Sequence, residues 1–504
     1  MHLGIIDIGS NSVRLIIAEI QENGGYKVIN DVKESLRLGT DVEIDGFISE
    51  DKINATINTL KNFKNLCSYM KTADIITVAT EALRKASNRE DVISRISKAV
   101  DLNVRVLKGE EEAYLDSVAV LSSFYTKSSL VIDIGGSSTE LSLLKDNKIY
   151  KYTCLPFGSI NLTHRYDLTD IIIPSKEDDL NSFLLDEFKK ISWLQDETID
   201  SLIAIGGAAR NLGRMDRKRK RYPLDVSSGY SFSDLDLNQM FNILKSKNLK
   251  QRLKVDGISK DRADIIVAST AILKNLTSLT NVKEITVSGK GLREGILCKY
   301  VTDTTETQKD ILDFSLESIM CDHNLDKNHA YNVYNLTHTL FKELTSILEL
   351  DDDSSYEKIL KVACLLHDSG ISIRYYDHHK HSFYIILNSP INGLNHKELI
   401  MAASIAYCHR SVDYQIKTMA FTGIINRLDG EVIGKLSLLL RISEALDQNM
   451  MGVIKINRCS IEEDKVTIFI SGLKDPSLEI EKAMLNKDKF KDIFKRDLVI
   501  ELEE

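Results

Sequence analysis

Two stretches decide the fold: Leu3-Gly-Ile-Ile-Asp7-Ile-Gly9-Ser10-Asn11-Ser12-Val-Arg14-Leu-Ile-Ile, and Leu130-Val-Ile-Asp133-Ile-Gly135-Gly136-Ser137-Ser138-Thr139-Glu140-Leu-Ser-Leu-Leu. Asp7 corresponds to Asp133 and Gly9 to Gly135, both at an offset of 126 (133 − 7 and 135 − 9). Each copy is an apolar run, a Gly/Ser/Asn turn and a second apolar run, which is the sequence form of a β-hairpin. Glycine lets the backbone approach a ligand closely. Successive amides in such a turn form an anion-binding nest, and Ser or Thr hydroxyls add donors. An Asp just before the turn can hold a metal ion or its water beside the bound phosphate. One copy alone reads as an ordinary tight hairpin. Two copies with the same Asp-Ile-Gly frame read as a duplicated phosphate site.

Working outward, two more apolar runs end in glycine. Leu202-Ile-Ala-Ile-Gly206-Gly207-Ala-Ala-Arg210-Asn211 predicts a strand and then a helix start, and Ile285-Thr-Val-Ser288-Gly-Lys290-Gly-Leu-Arg293-Glu294-Gly295 predicts another. Helix N-termini after strands favour phosphate. With the hairpins, these units describe two similar α/β halves around one cleft. The chain has 504 residues, 43% hydrophobic and 28% charged, with only 5 Pro. At about 150 residues per domain this suggests three or four domains. The net charge of -9 argues against a general nucleic-acid binder but permits a local basic pocket for a small anion. Apolar runs such as Leu130–Ile134 are far shorter than the roughly 20 residues of a membrane span. The N-terminus has no basic-then-apolar signal pattern, and seven scattered cysteines without a C-x-x-C pair suit reduced thiols. A cytoplasmic protein is expected.

The motif series resembles the exopolyphosphatase / guanosine pentaphosphate phosphatase family of the actin, sugar-kinase and heat-shock ATPase superfamily. The resemblance rests on six motifs in the family's order. They are Asp7-Ile-Gly-Ser-Asn-Ser, Ala79-Thr-Glu-Ala-Leu-Arg84-Lys-Ala-Ser-Asn88, Gly109-Glu-Glu-Glu112-Ala, Asp133-Ile-Gly-Gly-Ser-Ser-Thr-Glu140, Pro156-Phe-Gly-Ser159 and Ser288-Gly-Lys-Gly-Leu-Arg-Glu-Gly295. It implies duplicated actin-like (ribonuclease H-like) α/β lobes at 1–125 and 126–303. A helical HD-like domain at 304–452 and a small α+β cap at 453–504 would follow. It also implies an enzyme that hydrolyses the terminal phosphoanhydride of polyphosphate or guanosine pentaphosphate with Mg²⁺ (or Mn²⁺), as a homodimer.

Water attack on a phosphoanhydride needs a base, a cation and fixed phosphate donors. Acidic residues in a first helical turn usually complement the dipole, and Glu110 and Glu111 keep that reading. The family pattern makes Glu112 the general base. It assigns Asp133 and Glu140 to Mg²⁺ and catalysis, with Asp7 as the matching carboxylate of the first half. It also places an essential Arg at Arg84, expected on phosphate, ahead of a helix capped by Asn88. Arg14, Arg210, Arg262 and Arg293 are weaker phosphate candidates of the same kind. The phosphate turns are Gly9, Ser10, Asn11, Ser12 and Gly135, Gly136, Ser137, Ser138, with Gly206 and Gly207. Tyr114 stands where the family usually has Arg, so that phosphate contact is missing or comes from elsewhere. The basic run Arg214–Arg221 reads either as a solvated face or as a guide for a polyanion. It lacks the aromatic ladder of a nucleic-acid site.

Beyond about Asp303, helical periodicity takes over. The helix ending in His367-Asp368 resembles the HD phosphohydrolases, in which His, His-Asp and a later acidic residue bind a metal. The counterparts are His329, His367, Asp368 and Glu444, with Glu444 replacing the usual Asp. Either this region is a scaffold shaping a channel and a dimer interface, or it keeps a metal site and a second phosphohydrolase activity. The segment Asp377-His378-His379-Lys-His381, with His409 downstream, enriches it further and alternatively contacts substrate phosphate. The rivals to the hydrolase are a kinase on the same fold, since fold alone does not decide function, and a non-catalytic alarmone or polyphosphate sensor.

Overall fold

In the computed structural model, strand β1 (His2–Ile8) turns at Gly9–Ser12 into β2 (Val13–Ile20), with Asp7 opposite Arg14 and Ile8 opposite Val13. The structure describes residues 1–21, 25–304, 310–350, 355–410, 420–472 and 475–503. β3 (Tyr26–Glu34) extends the meander, and β4 (Asp74–Ala79) and β5 (Val104–Val106) add in parallel, giving the order β3-β2-β1-β4-β5. The second copy repeats the plan. β6 (Ser128–Ile134), β7 (Thr139–Lys145) and β8 (Lys148–Leu155) form the meander, and β9 (Ser201–Ile205) and β11 (Glu284–Val287) lie on its far side. With β10 (Ser231–Ser233) at the edge, the order is β10-β11-β9-β6-β7-β8. The glycine-ended runs are therefore β9 and β11, followed by helices Gly206–Lys220 and Leu292–Thr304.

Central strands covered on both faces need continuous apolar runs rather than alternation. On β1, Ile6 and Ile8 pack into one core with Leu15 and Phe63, while Leu3 and Ile5 pack into another with Ile16, Leu115 and Leu297. On β6, Leu130 and Ile132 face one core, and Val131 faces another that contains Val120. Helix Gly109–Leu121 thus joins both inner layers, Leu115 against the first sheet and Val120 against the second. Side chains two apart on a strand share a face. Asp7 therefore points to the side of Leu3 and Ile5, and Asp133 to the side of Val131. Both carboxylates meet the layer that holds this helix.

Residues Met1–Lys309 and Asp310–Glu504 form two compact units. In the second, helices Ile311–Asp322, Lys327–Glu343, Ser355–Leu366, His378–Asn388, His396–Cys408 and Arg427–Leu446 precede a three-stranded sheet. In that sheet β13 (Lys465–Ser471) lies between β12 (Lys455–Ile461) and β14 (Asp497–Leu502), with Val466, Ile468 and Ile470 inward. No helix among the described residues is long and apolar enough to cross a membrane, and none of the seven cysteines is in a disulfide.

Candidate active site

Each phosphate turn closes in the same way. The Gly9 amide donates to Ser12 O (3.1 Å), and the Gly135 amide to Ser138 O (3.0 Å). Each is braced by the start of a helix. The Arg37 and Gly39 amides donate to Asn11 O and Ser10 O, and the Ser159 and Ile160 amides to Gly135 O and Gly136 O. The Pro156-Phe-Gly-Ser159 motif is this brace. A side chain at Gly158 would strike the Gly135 and Ser138 carbonyls. Gly206 lies at φ +80°, a conformation that favours glycine, and a Cβ there would collide with Asp133.

The two turns line one cleft of about 140 Å³. Gly9, Ser10, Asn11 and Ser12 meet Gly135, Gly136 and Ser138 there, with Gly206, Gly207, Arg210 and Arg262. Asp7, Glu112, Asp133 and Glu140 supply carboxylates, and Asp133 and Glu140 are direct cross-strand partners. The cleft also holds Arg14, Glu81, Asp116, Ser159, Arg293 and Glu294.

Two expected site residues adjoin the cleft without lining it. Arg84 does not line the cleft. It sits in the one-turn helix Glu81–Lys85, where its guanidinium bonds Glu81, Glu112 and Leu107 O. Burial works against its charge, but Glu112 and Glu81 together raise its pKa. Ser137 is likewise absent from the lining; its hydroxyl packs beside Gly39. Asn88 occupies the N-cap position without capping, because its amide pairs instead with Ile48 N and O (3.0 and 2.8 Å). Tyr114 is partly exposed and edge-on to Tyr152, so the cleft's cations come from Arg14, Arg210, Arg262 and Arg293. Glu111 accepts from the Lys108 amide (2.9 Å) and caps its helix. In the basic run, Arg217, Arg219 and Lys220 pair within the protein, to Asp225, Asp216 and Asp236 among others.

Burial and mutual repulsion set the electrostatics. Burial raises Asp7 to about 6 against the pull of Arg293 and Arg14. Burial and then Asp133 raise Glu140 to about 8. Burial and Glu140 lift Glu112 well above the usual carboxylate range, opposed by Arg84. Asp116 is lifted by burial, Asp133 and Glu140. Asp7 Oδ1 and Asp116 Oδ1 are buried without a hydrogen-bond partner. Crowded carboxylates with orphaned oxygens fit a hard divalent cation, which takes oxygen ligands.

Asp116 and Glu81 are the functional candidates that the sequence reading missed. The available signals were spacings: Asp116 one turn after Glu112, and Glu81 three residues before Arg84.

In the second unit, His329, His367 and Asp368 come together, their ligand atoms within 4.8 Å of one another. Glu444 lies beside that group, where the charges of His367, Asp368 and His329 act on it, and its Oε1 accepts from Arg410 Nη2 at 2.6 Å. The nearby Asp447 instead bonds His329 Nδ1 at 2.7 Å.

A duplicated sheet whose paired Gly/Ser turns face one carboxylate-lined cleft defines an actin-like protein that handles phosphoryl groups. Residues 16–303 match the Ppx/GppA phosphatase family and residues 311–490 its domain III. The chain belongs to the Ppx/GppA phosphatase family and is a phosphoanhydride hydrolase. A guanosine-5'-triphosphate,3'-diphosphate pyrophosphatase of Pseudoalteromonas translucida is 27% identical over 81% of this chain and 80% of its own. Exopolyphosphatase 1 of Mycobacterium leprae is 26% identical over 59% of this chain and 89% of its own. The crystal structure of the Aquifex aeolicus Ppx/GppA family member matches at 30% identity with a TM-score of 0.55, covering 61% of this chain and 99% of that one. An exopolyphosphatase from Cytophaga hutchinsonii matches at 25% identity and 0.57, covering 60% and 98%.

Proposed function

We propose that this enzyme is an exopolyphosphatase that removes the terminal phosphate of inorganic polyphosphate. The observation that carries the reading is the meeting of Glu112 with both phosphate turns and the Asp133–Glu140 pair in one cleft. The terminal phosphate binds between the turns, its charge met by Arg14, Arg210, Arg262 and Arg293. Glu112 is the general base. Its raised pKa makes it a stronger base than a solvated carboxylate, and Arg84 fixes its orientation. Glu112 accepts the proton of the attacking water as the water oxygen bonds phosphorus and the bridging P–O bond breaks. The shortened chain leaves with that bond's electrons. Asp133 and Glu140, with Asp7 and Asp116 at hand, would hold Mg²⁺, which would supply charge stabilisation for the developing phosphate oxygens.

One observation favours a second reading, guanosine pentaphosphate 5'-phosphohydrolase. The relative named for that nucleotide matches over 81% of this chain, against 59% for the mycobacterial exopolyphosphatase. Phosphate release from long-chain polyphosphate, guanosine pentaphosphate and ATP, each with Mg²⁺, separates them. Release from polyphosphate that disappears in Glu112→Gln supports the exopolyphosphatase. Release confined to the pentaphosphate moves the assignment to the second reading, and binding without release from either leaves a sensor.

A further inference from the structure

We infer that Arg37 is a positioning residue for this hydrolysis, a clasp that holds the first phosphate turn and Arg262 at a fixed separation. The inference rests on the proposed reading of the cleft in one respect, that phosphate lies between that turn and Arg262. Arg37 touches both halves of the cleft at once. Its amide donates to Asn11 O of the first turn (3.0 Å). Its guanidinium crosses to the segment after Ser259, donating from Nη1 to Asp264 Oδ2 (2.7 Å) and from Nη2 to Asp261 O (3.2 Å). Nη2 also reaches Asp264 Oδ1 at 3.4 Å, which completes a fork on the carboxylate. Lys33, on β3, adds an ion pair to Asp261. Asp261, Arg262 and Asp264 belong to one turn that leads into helix Ile266–Thr280, where the Arg262 amide donates to Ser259 O and the Ile266 amide to Arg262 O. Whatever fixes the two aspartates therefore fixes Arg262.

Arg262 is where that placement counts. It lines the cleft with Asn11 and Ser12, and its guanidinium lies so close against Gly207 that a Cβ there would strike it. Burial and then Arg14 lower its pKa to about 10, so it stays charged at neutral pH yet is poorly solvated, and an arriving phosphate relieves it. The flanking carboxylates are rivals for that role. Asp261 and Asp264 stand one and two residues from Arg262, and a free carboxylate there would compete with phosphate for its guanidinium. Lys33 and Arg37 occupy both, which leaves Arg262 to the substrate. Arg37 holds this place against its backbone preference, since it sits in the left-handed region (φ +53°, ψ +46°) that favours glycine. Strain kept at such a position points to a side chain that is needed there. With Arg37 40% and Asp264 20% exposed, the ion pair adds little to stability, so its effect is geometric.

The test measures inorganic tripolyphosphate binding by calorimetry, with Mg²⁺ present, in the full chain carrying Glu112→Gln, which separates binding from turnover. Arg37→Met keeps a long side chain and the backbone strain but removes the fork. It is expected to weaken binding roughly three- to thirtyfold, and Asp264→Asn to do the same from the other side. The two together should be no worse than the stronger single change, because both break one clasp. The decisive combination adds Arg37→Met to Arg262→Met, where no further loss is expected, since no guanidinium is left to place. A residue that only supports the fold would cost as much in that background as in the parent. Melting curves report that each variant is folded; if Arg37→Met is not, Asp264→Asn carries the same comparison. Unchanged binding in the single variants, or losses that simply multiply in Arg37→Met/Arg262→Met, overturns the clasp. So does a parent that binds no tripolyphosphate. Phosphate release by the wild type from polyphosphate or guanosine pentaphosphate reports on the proposed function separately, so that reading can fail while the clasp stands.

Discussion

As the proposed general base, Glu112 meets two opposed demands, since a base must be strong yet ionised. Burial and Glu140 raise its pKa, while the Arg84 ion pair pulls it back. Glu112→Gln keeps the shape and removes the base. A loss of about 10²–10⁴ in kcat is expected with polyphosphate binding retained, measured by phosphate release and equilibrium binding; wild-type turnover would remove Glu112 from the mechanism. Arg84→Ala has a distinct signature. Without the guanidinium, Glu112 holds its proton to higher pH, so the acidic limb of the pH–rate profile moves to the alkaline side. Arg84→Lys, which keeps the charge but not the fork, restores part of the shift. A uniform drop in rate with an unmoved profile would make Arg84 only a packing residue. Glu112 was legible because it belongs to a local motif. Asp116 was not: an acid in mid-helix reads as solvated, and only the two sheets closing over it reveal its burial. The partner of Glu444 was not legible for a related reason, since Arg410, which pairs with its carboxylate, lies far from it in sequence.

At the scale of elements, helix Gly109–Leu121 positions Glu112. It touches both inner cores, and helix Leu292–Thr304 crosses it so closely that a Cβ on Gly295 would strike Leu115 O. Gly295→Ala is therefore expected to push the helices apart. We expect a loss of about 1–3 kcal/mol in denaturant unfolding, together with a fall in kcat exceeding any rise in KM, because Glu112 moves with its helix. Unchanged stability would mean that the crossing is looser than its geometry. The hairpins are legible in the sequence because turn chemistry is local. Asp, Gly and Ser sit at fixed spacings, and the flanking apolar runs have no other stable reading. The helix starts that brace the turns are less legible. Pro156-Phe-Gly-Ser159 stands out as a motif, but its work, donating the Ser159 amide to Gly135 O and setting the next amide, of Ile160, on Gly136 O, depends on contacts between residues more than twenty positions apart. The grouping of His378 with His409 likewise arises only where helices His378–Asn388 and His396–Cys408 pack together.

For the whole molecule, the cleft ties stability to pH and to divalent cation. Asp7 and Glu140 are held at about 6 and about 8 in the folded chain, above their ordinary values of 3.8 and 4.5. The folded state therefore binds more protons than the unfolded state across this window. Linkage then makes stability fall as pH rises. The stabilising protonation is complete below the unfolded values and is lost as pH passes through about 6 and then about 8. A bound divalent cation reverses the sign of the local problem, because it needs the carboxylates ionised and attracts them. Without Mg²⁺, Tm should decline between pH 5 and pH 8.5. With saturating Mg²⁺ the decline should flatten, so that the Mg²⁺-induced rise in Tm is larger at pH 8.5 than at pH 5. The same coupling predicts proton release when Mg²⁺ is titrated into weakly buffered protein at pH 7. Replacing Asp133 and Glu140 together with Asn and Gln should abolish both the release and the pH dependence of the Mg²⁺ effect. An equal Mg²⁺ shift at both pH values in the wild type would place the stabilising ion away from these carboxylates.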